Sequence, residues 1–273
     1  MSKQEWYFID SGIHSPAYNM ALDEYLLECG EKGRTKPVLR FYGWDPPGLS
    51  IGYFQKTTGR IDFDGATAHG IACVRRLTGG LAVLHDDELT YSVVIPEDYP
   101  DMPHSVVGAY RVLSRGLLEG FRALGLDADL AIPEDKRVGA HSPVCFEEAS
   151  WYELIVAGRK AAGSAQTRQR GMILQHGSIP IRVNTDQLFD CFSYANPRLK
   201  ERAKRAFTGK AAALEELLGR KVALEEVKTA FYHGFEKGLN INLRQLVLTD
   251  EEEQMVRERA KNKYETDAWN RSR

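Results

Sequence analysis

The stretch that most constrains this chain is Arg75-Arg76-Leu77-Thr78-Gly79-Gly80-Leu81-Ala82-Val83-Leu84-His85-Asp86, followed by Thr90-Tyr91-Ser92. An apolar run from Ile71 to Val74 leads into it, and another, Ser92 to Ile95, leads out. That pattern predicts two β-strands joined through a glycine turn. Gly79 and Gly80 have no Cβ, so a ligand can lie directly against the backbone there. Arg75 and Arg76 would then offer fixed donor forks at the mouth of the same site. Two arginines and a glycine pair alone describe an ordinary hairpin with surface cations. The continuation into His85-Asp86 and Tyr91-Ser92 goes beyond that description.

Around this segment the chain alternates strand and helix signals. Ser15-Pro16 is a helix start, and Tyr18, Leu22, Tyr25 and Cys29 recur at helical spacing until Gly30. Pro37 to Tyr42 and Leu49 to Phe54 read as strands about a Gly/Pro turn, and Ser105 to Leu124 as a helix ended by Gly125. Pro133 to Pro143 is a polar loop containing Gly139 and His141, of the kind that closes over sites. Trp151 to Val156, Lys160 to Gln166 and Met172 to Ile179 form a β-meander. From Asp186 onward the pattern is helical, and Thr249 with Glu252 makes a capping box for a last helix reaching about Tyr264. The whole reads as one α+β domain with a helical C-terminal portion.

No apolar stretch approaches membrane-spanning length, and Met1 to Trp6 lacks the apolar core of a secretory signal, so a cytoplasmic protein is expected. A net charge of −2 argues against general nucleic-acid binding. Locally, Arg198, Lys200, Arg202, Lys204, Arg205 and Lys210 are opposed only by Glu201; this is a solvated helix face or a dock for an acidic carrier protein. Cys29, Cys73, Cys145 and Cys191 show no paired spacing that would suggest a metal or a disulfide framework. The first two and the last sit in apolar settings and read as core residues.

The Arg75–Asp86 run resembles the signature of the lipoate-protein ligase and octanoyltransferase family, which shares its catalytic core with biotin protein ligases. Met20 to Glu24, Arg40 to Trp44, Ser50 to Gln55, Gly158 to Gln166 and His176-Gly177 resemble it as well. The resemblance implies a mixed β-sheet with flanking helices, the biotin/lipoate protein ligase-like core related to class II aminoacyl-tRNA synthetases. It implies a single catalytic domain over 1–273, with the core at 33–248 and a C-terminal helical extension at 249–273. The Gly-Arg-Gly-Arg-type run of biotin protein ligases is absent, and Leu81 stands where ATP-using lipoate ligases tend to have a third glycine. Within the family the chain therefore looks closest to the octanoyl-[acyl carrier protein]:protein N-octanoyltransferases.

Acyl transfer from a thioester to a lysine amine needs a nucleophile, oxyanion stabilisation and an apolar slot. Cys145, after Ser142-Pro143-Val144, is the candidate nucleophile; Glu147-Glu148 would raise its pKa if they lay close to it, so sequence context alone does not show activation and a positive neighbour is required. Lys160, a turn and a strand away, can favour thiolate or accept its proton. From the residues alone such a pair is more often a loop cysteine and an exposed strand-end cation. The resemblance implies the catalytic roles, since such transferases have a cysteine in this loop and a lysine at the Lys160 position. His85 and His176 are placed as site-lining residues, Gly163-Ser164-Ala165 as a small-residue strand permitting close approach of an acyl chain, and backbone N–H groups around Gly79-Gly80 or the Lys160 turn as oxyanion donors.

The implied partners are octanoyl-acyl carrier protein as donor, and the glycine cleavage H protein or lipoyl domains of 2-oxoacid dehydrogenases as acceptors. No cofactor or metal is implied, phosphopantetheine arriving attached to the carrier, and a monomer is expected. Three rival readings stand beside this one. They are an ATP-dependent lipoate ligase holding its adenylate phosphate with Arg75, Gly79-Gly80 and Lys160, an amidotransferase between lipoyl-bearing proteins, and a non-catalytic carrier-binding protein.

Overall fold

The computed structural model describes residues 3–131 and 153–273. In chain order the elements are β1 (Gln4–His14), α1 (Pro16–Glu31), β2 (Val38–Trp44), β3 (Gly48–Ile51), α2 (Phe63–Ala68), β4 (Ala72–Arg75), β5 (Val83–His85), β6 (Glu88–Pro96), α3 (Val106–Ala123) and β7 (Ala128–Ala131). There follow β8 (Glu153–Val156), β9 (Arg159–Gln169), β10 (Met172–Pro180), α4 (Thr185–Asp190), α5 (Pro197–Lys210), α6 (Leu214–Leu218), α7 (Leu224–Leu239), β11 (Ile241–Gln245), α8 (Asp250–Arg259), a π-helical turn (Ala260–Tyr264) and α9 (Asp267–Asn270).

A mixed eight-stranded sheet in the order β11-β1-β2-β6-β10-β9-β8-β7 forms the body, and a three-stranded sheet, β4-β3-β5, lies apart from it in hydrogen bonding. The large sheet buries both faces, as the strand alternation requires. Leu39, Phe41, Tyr91, Val93 and Ile173 pack against Leu113, Leu117 and Phe121 of α3 and Phe231 and Phe235 of α7. These two helices touch closely because Gly120 and Gly234 lack side chains; a Cβ on Gly234 would sit 2.4 Å from the Gly120 nitrogen. The intervening residues Val38, Tyr42, Trp44, Val94 and Leu174 face the other way, onto Tyr18, Leu22 and Leu26 of α1.

The start of α1 is capped by the Ser15 side chain with Pro16 in the first turn, and α3 by Ser105, as the sequence predicts. The meander β8-β9-β10 and the capping box at Thr249 also form. Three expectations change. The apolar runs on either side of the glycine pair do not make a hairpin: β4 pairs with β3 in the small sheet, whereas β6 lies between β2 and β10 in the large one. The Arg76–Ala82 segment is therefore a connection within the small sheet, from β4 to β5 on the other side of β3, and the chain crosses to the large sheet between β5 and β6. The strand expected over Leu49 to Phe54 stops at Ile51, because the chain turns at Gly52 against the glycine pair. The C-terminal portion is not wholly helical: β11 pairs in parallel with β1, Gln4 opposite Ile241 through Phe8 opposite Gln245. The loop from Pro133 to Pro143, and Cys145 after it, lie outside the described residues.

Candidate active site

Strand register builds one polar row across the middle of the large sheet. Ala165, His176, Ser92 and Arg40 stand side by side on β9, β10, β6 and β2. Two residues along, and so on the same face, come Gly163, Ser178, Thr90 and Tyr42. This is the face covered by α1 and by the loop that carries the glycine pair. Its polar side chains are buried, so each must find a partner.

Arg76 is the hub. A guanidinium has five N–H donors, and here each meets an acceptor. Nε bonds Thr78 Oγ1 at 3.0 Å, one terminal nitrogen bonds the Ser50 carbonyl and hydroxyl at 2.7 and 3.2 Å, and the other holds the carbonyls of Gly79 and Leu81 at 2.6 and 2.9 Å. Two relays leave it. In the first, Thr78 Oγ1 lies 2.6 Å from His176 Nε2, and His176 Nδ1 lies 3.2 Å from Asp23 Oδ2. In the second, Ser50 Oγ lies 2.7 Å from His85 Nε2, and His85 Nδ1 lies 2.7 Å from Glu88 Oε1. Because an ionised carboxylate only accepts, each histidine donates from Nδ1 and receives the hydroxyl proton at Nε2; the tautomers follow from the network.

The carboxylate ends are anchored from the sheet. Asp23 accepts from Arg40 at 2.8 Å, from Ser92 at 2.8 Å and from Tyr42 at 3.3 Å. Burial works to raise the Asp23 pKa, but the His176 hydrogen bond, the Arg40 charge and the Ser92 hydroxyl together hold it below the ordinary carboxylate value. Burial holds His176 below the ordinary histidine value, which keeps it neutral as the relay requires. Glu88 accepts from Thr90 and from Ser178, and Trp44 stacks on His85 with ring centres 4.1 Å apart.

The glycine pair has a definite use. Gly80 adopts φ +92°, and a Cβ on Gly52 would sit 1.9 Å from the Gly80 carbonyl oxygen, so the two turns lie backbone on backbone. Gly79 is different: a Cβ there meets only a Phe54 ring atom at 4.0 Å, leaving its backbone open to a ligand.

The expected donor forks change accordingly. Arg75 is fully buried and bonds the carbonyls of Gly52 and Gln55 at 2.7 and 2.9 Å and that of Asn270 at 3.1 Å. Its terminal nitrogens, like those of Arg76, close on the protein's own backbone instead of opening at the mouth of a site. The structure brings Arg76, Gly79, Gly80, His85 and His176 together, with Gly163 and Ala165 on the same face. Ser164 turns to the opposite face, where its hydroxyl meets Tyr91 Oη at 2.8 Å.

Lys160 is buried at the start of β9. It pairs with Ile155, which stands between Leu154 and Val156, and those two pack into the α3–α7 core. Alternation therefore puts Lys160 on the polar face, and a register shift in the β8–β9 pairing at Leu154–Ile155 makes this possible. Its carbonyl accepts from the Ala212 N–H at 3.0 Å. Ala212 lines a cavity of about 370 Å³ walled by Val83, Leu84, Ile181, Leu188 and Phe207, and Glu88 reaches the same space. That volume lies within the range of small-molecule sites, about 300–1,000 Å³. Among the described residues no group of three or more His, Cys, Asp and Glu side chains is arranged to hold a metal ion.

Sequence reasoning gave no role to Asp23, Arg40, Ser50, Thr78 or Glu88. A signal existed for two of them: Asp23 interrupts an apolar helix face, and Arg40 sits between Leu39 and Phe41 in a strand that is buried throughout.

The profile of the lipoyl protein ligase A/B catalytic domain matches residues 15–236. The chain belongs to that family. Octanoyltransferase LipM of Anoxybacillus flavithermus is 56% identical over 275 residues, covering 99% of both chains. Octanoyltransferase LipM of Bacillus subtilis is 51% identical over 278 residues, covering 100% of both. Among solved structures, the bipartite lipoate protein ligase of the archaeon Thermoplasma acidophilum superposes with a TM-score of 0.81 at 25% identity, over 98% of this chain and 96% of that one. A lipoate-protein ligase A bound with ATP superposes with a TM-score of 0.76 at 28% identity, over 99% of each. The family's fold is thus a mixed sheet with flanking helices, and this chain has it from β1 to the C-terminal helices.

Proposed function

We propose that this protein moves an octanoyl group from the thioester of an acyl carrier protein to a lysine amine of a lipoyl domain or of the glycine cleavage H protein, through a thioester on Cys145. Octanoyl transfer in lipoate biosynthesis is the activity class. The observation that carries it is the identity of 50–56% to octanoyltransferases along essentially the whole chain. In the first step the Cys145 thiolate attacks the octanoyl carbonyl; the new S–C bond replaces the bond to the carrier's sulfur, which leaves as a thiolate and is protonated. In the second step the acceptor amine attacks the enzyme thioester, the amide forms, Cys145 leaves as thiolate, and the amine proton passes to Lys160. The place of Lys160 on the polar face, its carbonyl bonded to the N–H of cavity-lining Ala212, supports that role.

The backbone at Gly79, open on one side, supports a place for the carbonyl oxygen or the acyl chain. Phosphopantetheine comes attached to the donor, and no diffusible cofactor or metal enters the reaction. The protein acts in the cytoplasm as a monomer; no helix among the described residues is long and apolar enough to cross a membrane.

An ATP-dependent ligase is the second reading, favoured by the likeness to the ATP-bound ligase structure. Intact-mass analysis after mixing with octanoyl carrier, with and without ATP, separates the two. A mass gain of one octanoyl group without ATP, absent in Cys145→Ala, supports the transferase. Formation of AMP, or transfer by Cys145→Ala at the rate of the unaltered enzyme, overturns it.

A further inference from the structure

We infer that the exposed arginine face of α5 is where the donor protein docks, and that the cavity at the C-terminal end of that helix receives its acyl-bearing arm. The inference rests on the transfer reading above. Arg198, Arg202 and Arg205 are spaced by four and three residues, so they share one face of α5. All three are exposed and make no ion pair among the described residues. The lysines of the same helix are the contrasting case. Lys200 pairs with Asp190, and Lys204 with Asp186 at 2.7 Å and Glu201 at 3.5 Å. The acids of α4 thus neutralise the inner lysines and leave the outer arginines as a positive stripe. Leu199, 45% exposed, lies beside Arg202 one turn away and adds an apolar contact to that stripe.

The stripe points somewhere. Thr208 follows Arg205 by three residues and lines the cavity. At a rise of about 1.5 Å per residue, Arg198 lies about 15 Å along the helix from it. From Thr208 the cavity runs inward to Glu88, one end of the histidine relays, and to Ala212, whose N–H is bonded to the Lys160 carbonyl. A group entering beneath α5 therefore arrives at the polar face of the sheet.

The cavity's charges decide what kind of group this is. Among the described residues Asp86, Glu88, Glu215 and Glu216 line it with one cation, Arg182, whose guanidinium bonds Asp87; Glu216 is paired with Arg159 outside the lining. A polyphosphate would meet repulsion there, whereas the neutral, amide-containing pantetheine part of a carrier's arm would not, the arm's single phosphodiester staying outside towards the arginines. The occupant is an acidic protein whose acyl thioester hangs on such an arm, its negative surface on the arginines and its arm in the cavity.

The test compares two donors, octanoyl carrier protein and octanoyl-pantetheine, in the unaltered enzyme and in Arg198→Glu/Arg202→Glu/Arg205→Glu. Steering by exposed charges changes encounter rates by about tenfold or more at low salt. We expect the triple variant to lose about tenfold in kcat/KM for the carrier, with a flattened salt dependence, and to use octanoyl-pantetheine normally. Thr208→Trp, at the exposed rim, should slow both donors. Normal use of the carrier by the triple variant, an equal loss with both donors, or normal turnover by Thr208→Trp would overturn the inference while leaving octanoyl transfer standing. If the unaltered enzyme transfers octanoyl from neither donor, the transfer reading falls and takes this inference with it.

Discussion

Replacing Arg76 with lysine tests whether the site is held from a single hub. The substitution keeps the positive charge but reduces five N–H donors to three, so at least two of the acceptors on Thr78, Ser50, Gly79 and Leu81 lose their partner. Each buried polar atom left unsatisfied costs about 1–3 kcal/mol, giving about 2–6 kcal/mol for the pair. Against a typical domain stability of about 5–15 kcal/mol the protein should remain folded but be visibly weakened. Urea denaturation followed by circular dichroism reads this directly. With a slope of about 3 kcal/mol per M, the midpoint should fall by about 0.7–2 M. Arg202→Lys, on the exposed face of α5, is the control and should move it within about 0.5 kcal/mol. Octanoyl transfer should fall in parallel, because the Gly79–Leu81 turn loses the fork that pins its carbonyls. A midpoint shift no larger than the control's would refute the reasoning, and Arg76 would then be an ordinary buried cation.

Gly52→Ala should destabilise the protein by about 1–3 kcal/mol through overpacking, since its Cβ would fall 1.9 Å from the Gly80 oxygen; an unchanged melting temperature would contradict the backbone contact. Gly79→Ala should leave stability within about 0.5 kcal/mol, its Cβ meeting only Phe54 at 4.0 Å. It should nonetheless raise KM for octanoyl donors, and unchanged kinetics would remove the ligand from that backbone. Lys160→Arg should cost far more rate than an exposed Lys→Arg change, because arginine stays protonated at neutral pH and cannot accept the amine proton; a near-normal rate would reduce Lys160 to an electrostatic neighbour.

His176 is held below its ordinary pKa by burial, so the unfolded chain takes up that proton first. Its contribution to stability is full above about pH 6.5 and is lost as pH falls, and that of Asp23, also depressed, is lost from about pH 4 downward. His14 shifts in the same direction, so the comparison is between proteins. His176→Gln should lose less stability than the unaltered protein between about pH 7.5 and 5.5 in urea titrations, and equal losses would count against a neutral His176.

Helices α1 and α3 and the capping box before α8 were legible because their signals are local: a Ser cap, a period of three to four, and a Glu three residues after Thr249. The meander was legible for the same reason. The hairpin expected around Gly79-Gly80 failed because pairing is decided by partners far away, β3 for one strand and β10 for the other. β11 is short and half-exposed, and only β1, more than two hundred residues earlier, makes it a strand. At the site, the resemblance located the histidines and the glycine pair, but which carboxylate each histidine would meet depends on register. His85 meets Glu88, not the adjacent Asp86, and His176 meets Asp23 of α1, more than a hundred and fifty residues earlier. The arginine pair looks symmetrical in sequence; its two members separate at the end of β4, Arg75, the last strand residue, reaching the C-terminal segment and Arg76, the first beyond it, reaching the relays.

The grip of Asn270 on Arg75 has a consequence in time. Asn270 accepts the Arg75 N–H through its side chain and holds the guanidinium through its carbonyl, and Trp269 donates to the Arg75 carbonyl, across sequence separations of 194 and 195 residues. At about 5–20 residues per second of synthesis, Arg75 waits about 10–40 s for those partners. Over that interval the nascent chain carries β4 and the turn after Gly52 without the clamp that fixes them. The turn after Gly52 therefore stays unclamped until α9 arrives to lock it.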